Sequence, residues 1–211
     1  MLKRDLLRNV IIFLVLAAII IGLRVFIYTP YRVTEQDSNS YLAKNDLVLA
    51  TRKQDIKRGD FVLYEVDGKD YVGRVIAQEK DQVTYMDNLL YLNGQVMSEE
   101  YIEKMREKYL ASAGSSGYYT HDFSVMDLKD SKSDKITKDS YLILNDRREN
   151  TKDSREFGLI KASQIKGVVE FRLSPLNEFG FIKNNNTKRV GLKYKILFIN
   201  TQIVHNKLGT E

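Results

Sequence analysis

The sequence predicts a mostly β fold behind a single membrane-spanning helix at the N terminus. An uninterrupted apolar run from Val10 to Leu23 lies near the start of the 211-residue chain. From Tyr31 onward, apolar residues form short segments rich in Val, Tyr, Phe and Leu, which is typical of strands. Turn dipeptides such as Asp67-Gly68 and Asn93-Gly94 separate these segments. Because they supply the positive φ of tight hairpins, they favour antiparallel pairing.

The apolar run predicts a transmembrane anchor over residues 10–28, preceded by a short tail of residues 1–9. The 14 residues of the run are fewer than the ~20 that span a bilayer, but apolar residues continue on both sides. Three basic residues precede the run, so the tail is expected in the cytoplasm and the body outside. The alternative is a cleaved signal peptide, but residues 24–30 are bulky and hold no small-x-small cleavage site. Either interpretation exports the body.

Composition excludes several classes of site. The absence of Cys excludes disulfides, thiolate metal ligands and a Cys nucleophile, and two His leave little for a zinc site. We therefore expect no metal and no cofactor. The formal net charge is +5, but residues 181–211 carry six Lys or Arg against one acidic residue, which is also +5. Residues 1–180 therefore have no net charge. They lack the cationic excess that binds phosphate backbones, and no nucleic-acid partner is expected.

The body, residues 29–180, is predicted to contain many short strands and one helix. The helix is expected over Glu99–Tyr109, with Ser98 as its cap and acidic residues in its first turn. The polar stretch around it predicts a small cap inserted at about residues 95–140. Residues 181–211 form a basic extension whose order the sequence leaves open. The predicted strands are Leu47–Ala50, Phe61–Val66, Tyr71–Ala77, Gln82–Met86, Leu89–Leu92, Tyr141–Leu144 and Gln164–Arg172.

Four segments, in order, resemble the type I signal peptidase family, the membrane-anchored Ser–Lys endopeptidases. The fourth is the most specific, because it is similar to the family's Gly-Asp-Asn-Arg-Asp-Asn-Ser-x-Asp-Ser-Arg motif. The resemblance covers residues 1 to about 180. It implies a large, mostly antiparallel β domain with a smaller cap inserted before the fourth segment. The segments are Phe26–Val33, Lys57–Val62, Tyr71–Ala77 with Leu90–Gly94, and Leu144–Gly158.

Three positions depart from the family pattern where that pattern carries the chemistry. Asp37 stands at the nucleophile position, which is a Ser in the family. Gly73 stands where the resemblance places the general-base Lys, and Glu35 where it places a hydroxyl that donates to the oxyanion. A carboxylate forms no ester acyl-enzyme, and a glycine accepts no proton. An ionised Glu35 would repel the developing charge, and losing one oxyanion donor costs about 3 kcal/mol.

Neighbouring residues offer two ways to rebuild a catalytic site, and we expect neither. Ser38 lies one residue past the nucleophile position, but in an extended segment it points to the other face. Lys44 and Lys69 are the amines available to it, and both have the sequence setting of solvated lysines. The second way is an acid dyad of Asp37 with Asp146. The resemblance pairs Asp146 with an arginine, however, which would keep it ionised. No catalytic residues are therefore assigned.

The other residues of the family motifs are retained. One interpretation is a preserved floor of the site, in which Thr151 keeps a hydroxyl where the family has the Ser that orients the Lys. The other is that these residues hold the loop and the sheet together by ion pairs and turn bonds. We prefer the second, because buried ion-pair networks are commonly structural. The residues are Arg74, Asp146, Arg148, Thr151, Asp153, Ser154 and Arg155.

Five residues match the positions that hold an extended peptide beside the site in the family. Main-chain pairing supplies much of such binding and needs no nucleophile. For each residue taken singly, packing in a β core is the other interpretation. With Glu35 and Asp37 close together, the groove is expected to be acidic and suited to a Lys or Arg of a partner. The five residues are Tyr31, Val33, Leu42, Tyr71 and Val72.

The whole pattern resembles the signal-peptidase-like proteins encoded with pilus genes in Gram-positive bacteria, which lack the Ser–Lys pair. This resemblance implies a catalytically inactive, single-pass protein of the cell membrane with an extracellular body. Its expected role is accessory or chaperone-like, in sortase-mediated pilus polymerisation, with pilin subunits or the sortase as partners. Two alternatives stay open: an active peptidase with a relocated nucleophile, and a decoy that binds exported precursors.

Overall fold

The computed structural model of the chain describes residues 2–26, 28–52, 55–112, 117–182 and 188–189. The α-helices of this part of the chain are α1 (Leu2–Phe26), α2 (Glu103–Leu110) and α3 (Ser154–Phe157). The strands, β1 to β13 in chain order, are Tyr28–Arg32, Leu47–Thr51, Phe61–Val66, Lys69–Gln78, Val83–Met86, Leu89–Leu92, Gln95–Ser98, Phe123–Ser124, Ser140–Leu144, Ile160–Lys161, Ile165–Ser174, Gly180–Phe181 and Lys188–Arg189.

α1 is the apolar N-terminal helix that the sequence predicts. Its stretch Arg4–Gly22 has a mean hydropathy of 2.3, and none of that stretch is buried inside the protein. A helix of 25 residues at about 1.5 Å per residue is long enough for a hydrocarbon core of ~30 Å. α1 is therefore long and apolar enough to cross a membrane. β1 begins two positions after α1 ends, so the body starts close to the end of this helix.

Eight strands form one large antiparallel sheet, which is the body. Their order is β1-β2-β11-β3-β4-β9-β10, and β12 pairs with β11. β3 and β4 form a hairpin with Phe61 opposite Arg74, whereas β9 pairs with β4 only from Arg74 onward. Residues 69–73 of β4, here called the open edge, therefore have no strand on their β9 side among the described strands. The mostly antiparallel fold expected from the sequence is confirmed.

A second, smaller sheet of order β13-β7-β6-β5-β8 forms the cap. It begins at Val83, earlier than the position near 95 expected for the insertion, because β5, β6 and β7 pair consecutively within it. β13 reaches it from the basic extension, with Lys188 opposite Ser98. The remaining residues of the extension after Ile182 lie outside the described part of the chain.

The helix of the cap begins later than the sequence predicts. Ser98 belongs to β7 and caps no helix, and a 3-10 turn at Glu100–Ile102 precedes α2. We attribute the shift to Glu99, which is only 5% exposed. Because its side chain is bound inside the cap, the backbone turns inward before the regular helix starts.

Alternation along β3 sends its side chains to two separate cores. Phe61 and Leu63 pack with the loop that follows β1. Val62 and Tyr64 pack on the opposite face with Ile143 of β9. A third cluster joins β4 and β9 to the cap. Both faces of the central strands are therefore covered by hydrophobic clusters.

Arg148 joins the body to the cap through Glu99. The two side chains are 0% and 3% exposed, and Arg148 Nη2 lies 2.5 Å from Glu99 Oε1. The same oxygen accepts hydrogen bonds from the Tyr85 and Tyr101 hydroxyls (2.7 and 2.5 Å). Arg148 Nη1 donates to the carbonyl of Asn145 (2.5 Å). Because both charges are buried, each depends on the other for compensation.

We expect Glu99→Ala to lower the free energy of unfolding by about 3–5 kcal/mol, because it leaves the Arg148 guanidinium buried without its counter-charge. The control is Lys57→Ala, which removes a pair with Asp55 whose side chains are 69% and 80% exposed. That change should cost at most about 1 kcal/mol. Urea unfolding of the full chain in detergent micelles, followed by circular dichroism, measures both. Equal costs would contradict the role given to the buried pair.

Candidate functional site

The loop between β1 and β2 holds Asp37 against the open edge of β4. Asp37 is 5% exposed. Its Oδ1 accepts the backbone N–H of Val72 (3.1 Å), and its Oδ2 accepts the Tyr31 hydroxyl (2.7 Å). Thr34 donates its backbone N–H (3.3 Å) and its hydroxyl to Oδ2. The carboxylate at the nucleophile position is thus held as an internal hydrogen-bond acceptor.

Tyr31 connects the same carboxylate to the open edge. Its hydroxyl also lies 3.5 Å from the carbonyl oxygen of Asp70. Partial burial and the neighbouring Asp37 carboxylate raise the pKa of Tyr31 above its ordinary value, so the phenol keeps its proton and remains a donor. Asp37 thus binds the N–H of Val72, and the Tyr31 hydroxyl lies near the carbonyl of Asp70.

Glu35, at the oxyanion position, lies in a different setting from Asp37. Its side chain is 61% exposed and its carboxylate pairs with Lys44 Nζ (3.0 Å) and Arg147 Nη1 (3.7 Å). The hydrogen bond to Lys44 lowers the pKa of Glu35 below its ordinary value, so the group is ionised near neutral pH. Lys44 and Arg147 therefore flank the exposed Glu35 carboxylate. Both Glu35 and Asp37 already have partners within the chain, so a cation of a binding partner would have to compete with them.

Ser38, the alternative nucleophile, has partners that do not activate a hydroxyl. Its Oγ donates to the backbone carbonyl of Glu35 (2.7 Å) and accepts from Arg147 Nη2 (3.2 Å). Lys44 is engaged with Glu35, and Lys69 is exposed at the start of β4. A carbonyl oxygen is not a general base, and a guanidinium stays protonated. The geometry gives Ser38 a structural hydrogen bond at the turn.

Gly73, at the general-base position, is enclosed by side chains of its own sheet. A Cβ at this position would lie 2.6 Å from Ile143 Cγ2, 3.3 Å from the Leu144 carbonyl oxygen and 3.5 Å from the Tyr64 ring. Real Cβ contacts do not approach 2.6 Å, so any larger residue requires Ile143 to move. The close packing of Ile143 therefore favours glycine at this position.

Tyr64 and Ile143 belong to this site, although no motif pointed to them. Tyr64 is completely buried, and its hydroxyl has no hydrogen-bond partner among the described residues. Burial, together with the charges of Asp153 and Asp37, raises the pKa of Tyr64. The predicted hairpin could have pointed to Tyr64. In the pairing of β3 with β4, Tyr64 lies opposite Tyr71, and Tyr71 precedes Gly73 by two residues.

Arg74 and Asp146 form a fully buried ion pair beneath the groove. Arg74 Nε and Nη2 contact the two oxygens of Asp146 at 2.8 and 2.6 Å, and both side chains are 0% exposed. Arg74 Nη1 donates to the carbonyl of Gly59 (2.9 Å). The guanidinium lies 4.1 Å from the ring centroids of both Phe61 and Tyr101. Both oxygens of Asp146 are thus engaged by Arg74, and those of Asp37 by Val72, Tyr31 and Thr34, so the described hydrogen bonds do not join the two carboxylates.

The fourth motif folds back on itself through Asp153. Its oxygens accept from the Arg155 backbone and guanidinium (2.6–3.0 Å) and from the Asn145 N–H (2.8 Å). Ser154 Oγ accepts the N–H of Ile143 (2.9 Å). Thr151 is exposed. These contacts shape the loop and anchor it to β9, which supports the structural interpretation of the motif.

The five groove residues divide into buried and half-buried groups. Val33, Leu42 and Val72 are at most 2% exposed and belong to one hydrophobic cluster. Tyr31 packs against that cluster, and Tyr71 packs against the cluster on the other face. They lie near the open edge but mostly as parts of the core. Among the described residues, no group of three or more His, Cys, Asp or Glu is placed to hold a metal ion.

A family model described as signal peptidase, peptidase S26, matches residues 6–174 of the chain. The chain belongs to the signal peptidase family. The match includes most of α1, Asp37, Gly73 and the fourth motif, and it confirms the family that the four segments indicated. In this member of the family, a carboxylate and a glycine occupy the positions that the resemblance assigns to the nucleophile and the base.

Named relatives cover most of the chain. Signal peptidase IB of Staphylococcus aureus (strain MRSA252) is 35% identical over 195 residues, which are 89% of this chain and 100% of the relative. Signal peptidase I of Bacillus caldolyticus is 29% identical over 172 residues, or 79% of this chain and 91% of the relative. A crystal structure of a signal peptidase I from Enterococcus faecalis V583 gives a TM-score of 0.49 at 28% identity, covering 55% of this chain and 97% of that one.

We expect Gly73→Ala to lower the free energy of unfolding by about 1–3 kcal/mol, because the added methyl overlaps Ile143 Cγ2. In the Ile143→Ala background, which removes that methyl, the same change should cost less than about 1 kcal/mol. Urea unfolding of the four proteins of this double-mutant cycle measures the coupling. An equal cost of Gly73→Ala in both backgrounds would show that the packing account is wrong.

Proposed function

We propose that this signal peptidase homologue is a non-catalytic, membrane-anchored accessory factor that acts in sortase-mediated pilus polymerisation. The observation that carries the proposal is the pair of positions 37 and 73. Asp37 is bound by donors of its own chain, and Gly73 has Ile143 where a lysine side chain would begin. The loss of both catalytic groups beside an intact scaffold supports a binding role.

Peptide hydrolysis by the family's chemistry needs a hydroxyl and a neutral amine that takes its proton. A carboxylate at position 37 gives no ester intermediate, and position 73 has no side chain to accept the proton. Ser38 does not replace the nucleophile, because its hydroxyl faces the Glu35 carbonyl and Arg147. The relatives' names describe peptidases. We propose that this chain lacks that activity because of the residues at positions 37 and 73.

The proposed setting is the outer face of the cell membrane. In this proposal α1, the one candidate span among the described residues, is the anchor, and the basic residues that precede its apolar core favour a cytoplasmic N terminus. The body is then extracellular and lies at the bilayer, where pilin subunits and the sortase meet. We assign pilins or the sortase as partners on the resemblance to signal-peptidase-like pilus assembly proteins.

We expect the purified full chain to cleave no preprotein, even at high enzyme concentration, because no hydroxyl–amine pair is assembled. Gel analysis of a preprotein incubated with the protein in detergent micelles measures this, with Ser38→Ala as the matched variant. Cleavage that is present in the natural protein and lost in Ser38→Ala would establish a relocated nucleophile and overturn the proposal.

The double change Asp37→Ser with Gly73→Lys is expected to restore no cleavage. The lysine stem meets Ile143, and Glu35 still carries a negative charge at the oxyanion position. The same preprotein assay, with circular dichroism to show that the variant is folded, tests this. Robust cleavage by the double variant would mean that the site tolerates both features.

We expect a strain deleted for this gene to export pilin monomers but to form few or no pilus polymers. A plasmid copy with Ser38→Ala should restore polymers as well as the natural copy does, since no catalysis is required. Immunoblotting of cell-wall extracts for high-molecular-weight pilin measures both. Undiminished polymers in the deleted strain would refute the assembly role. Crosslinking in cells distinguishes the remaining alternative. If the body crosslinks to the signal-peptide regions of precursors and to neither mature pilin nor sortase, the chain is a decoy that binds exported precursors.

A further inference from the structure

We infer that Asp37 is an internal latch on the open edge of β4. Its carboxylate occupies the hydrogen-bonding position that an added peptide strand needs, so the resting protein does not bind extended polypeptides in this groove. The inference concerns the regulation of the groove and does not depend on the pilus role, because its test measures binding and not assembly.

The open edge has few backbone groups to offer, and the latch takes the N–H of Val72. In an antiparallel ladder, alternate residues point their N–H and C=O toward the same neighbouring strand. Val72 N–H reaches Asp37 and therefore points away from β3, and Asp70, two residues earlier, has its carbonyl on the same side, near the Tyr31 hydroxyl. The next residue of this set, Arg74, is already opposite Leu144 of β9.

β1 provides the facing side of the groove. It pairs with β2, with Tyr31 opposite Val48, and it is the terminal strand of the sheet order among the described strands. The Tyr31 side chain crosses from β1 to the open edge. A chain added beside β4 here would have to displace both the Tyr31 ring and the Asp37 carboxylate.

The chemistry favours the latched state over an incoming peptide. A carboxylate is a stronger acceptor than a peptide carbonyl, because charge-assisted hydrogen bonds are about twice as strong as neutral ones. Tyr31 and Thr34 hold the carboxylate in place before any ligand arrives. An added strand gains its affinity chiefly from main-chain hydrogen bonds. At Val72 it must replace the hydrogen bond from the Val72 N–H to Asp37.

Binding of a short extended peptide tests the latch directly. The probe is a fluorescein-labelled octapeptide of alternating Ala and Val, titrated with the full chain in detergent micelles and read by fluorescence anisotropy. We expect no saturable binding to the natural protein and at least about tenfold tighter binding to Asp37→Ala, which corresponds to ~1.4 kcal/mol. Asp37→Asn keeps one acceptor oxygen and the side-chain volume but loses the charge and the second acceptor, so its affinity for the peptide should lie between those of the natural protein and Asp37→Ala.

Amide exchange of Val72 separates release of the latch from general loosening. With valine-selective ¹⁵N labelling, we expect the Val72 amide to exchange at least about tenfold faster in Asp37→Ala, while the amide of Val62 on β3 is unchanged. The peptide should restore protection. If Asp37→Ala does not fold, Tyr31→Phe replaces it and should show a smaller change of the same sign. Saturable binding to the natural protein, or unchanged Val72 exchange in the folded variants, would overturn the inference.

Discussion

The hydrogen bond from Val72 to the buried carboxylate of Asp37 fixes the loop after β1 to the central hairpin, and the geometry of the groove depends on it. One residue further along β4, a Cβ at Gly73 would lie 2.6 Å from Ile143 Cγ2, so a larger residue requires Ile143 to move. Asp37 thus occupies a backbone donor of the open edge, and Ile143 packs against the position where the resemblance places a lysine. Both features agree with the non-catalytic role that we propose.

The charged residues of the family motifs stabilise the fold through ion pairs, a role that is independent of catalysis. Arg74 and Asp146 compensate each other beneath the sheet, Arg148 ties the body to the cap through Glu99, and Asp153 closes the loop that follows β9. Breaking a buried pair by removing one partner is costly. The scaffold therefore needs these residues whether or not the chain is a peptidase, so their retention agrees with the non-catalytic role that we propose.

Local patterns were enough to predict much of the fold. The hairpin strand Phe61–Val66 and the strand Leu89–Leu92 have the bounds that the sequence predicts, because turn dipeptides follow each of them. β1 was not predicted as a strand, since it is short and contains Pro30. At the site, Asp37 and Gly73 were found by resemblance, but their partners were not. Val72 lies 35 residues from Asp37, and Ile143 meets Gly73 only through the pairing of β4 with β9, which no local signal encodes.

Acylation of the protein by a serine-reactive fluorophosphonate tests the central claim most directly, because it asks for an activated nucleophile without relying on a substrate. Intact-mass spectrometry of the full chain in detergent micelles gives the stoichiometry of the adduct, with a Ser-His-Asp hydrolase as the control for the reagent. We expect no adduct on this chain after the hydrolase has reacted to completion. A stoichiometric adduct on Ser38, or on any other hydroxyl lining the groove, would contradict the account.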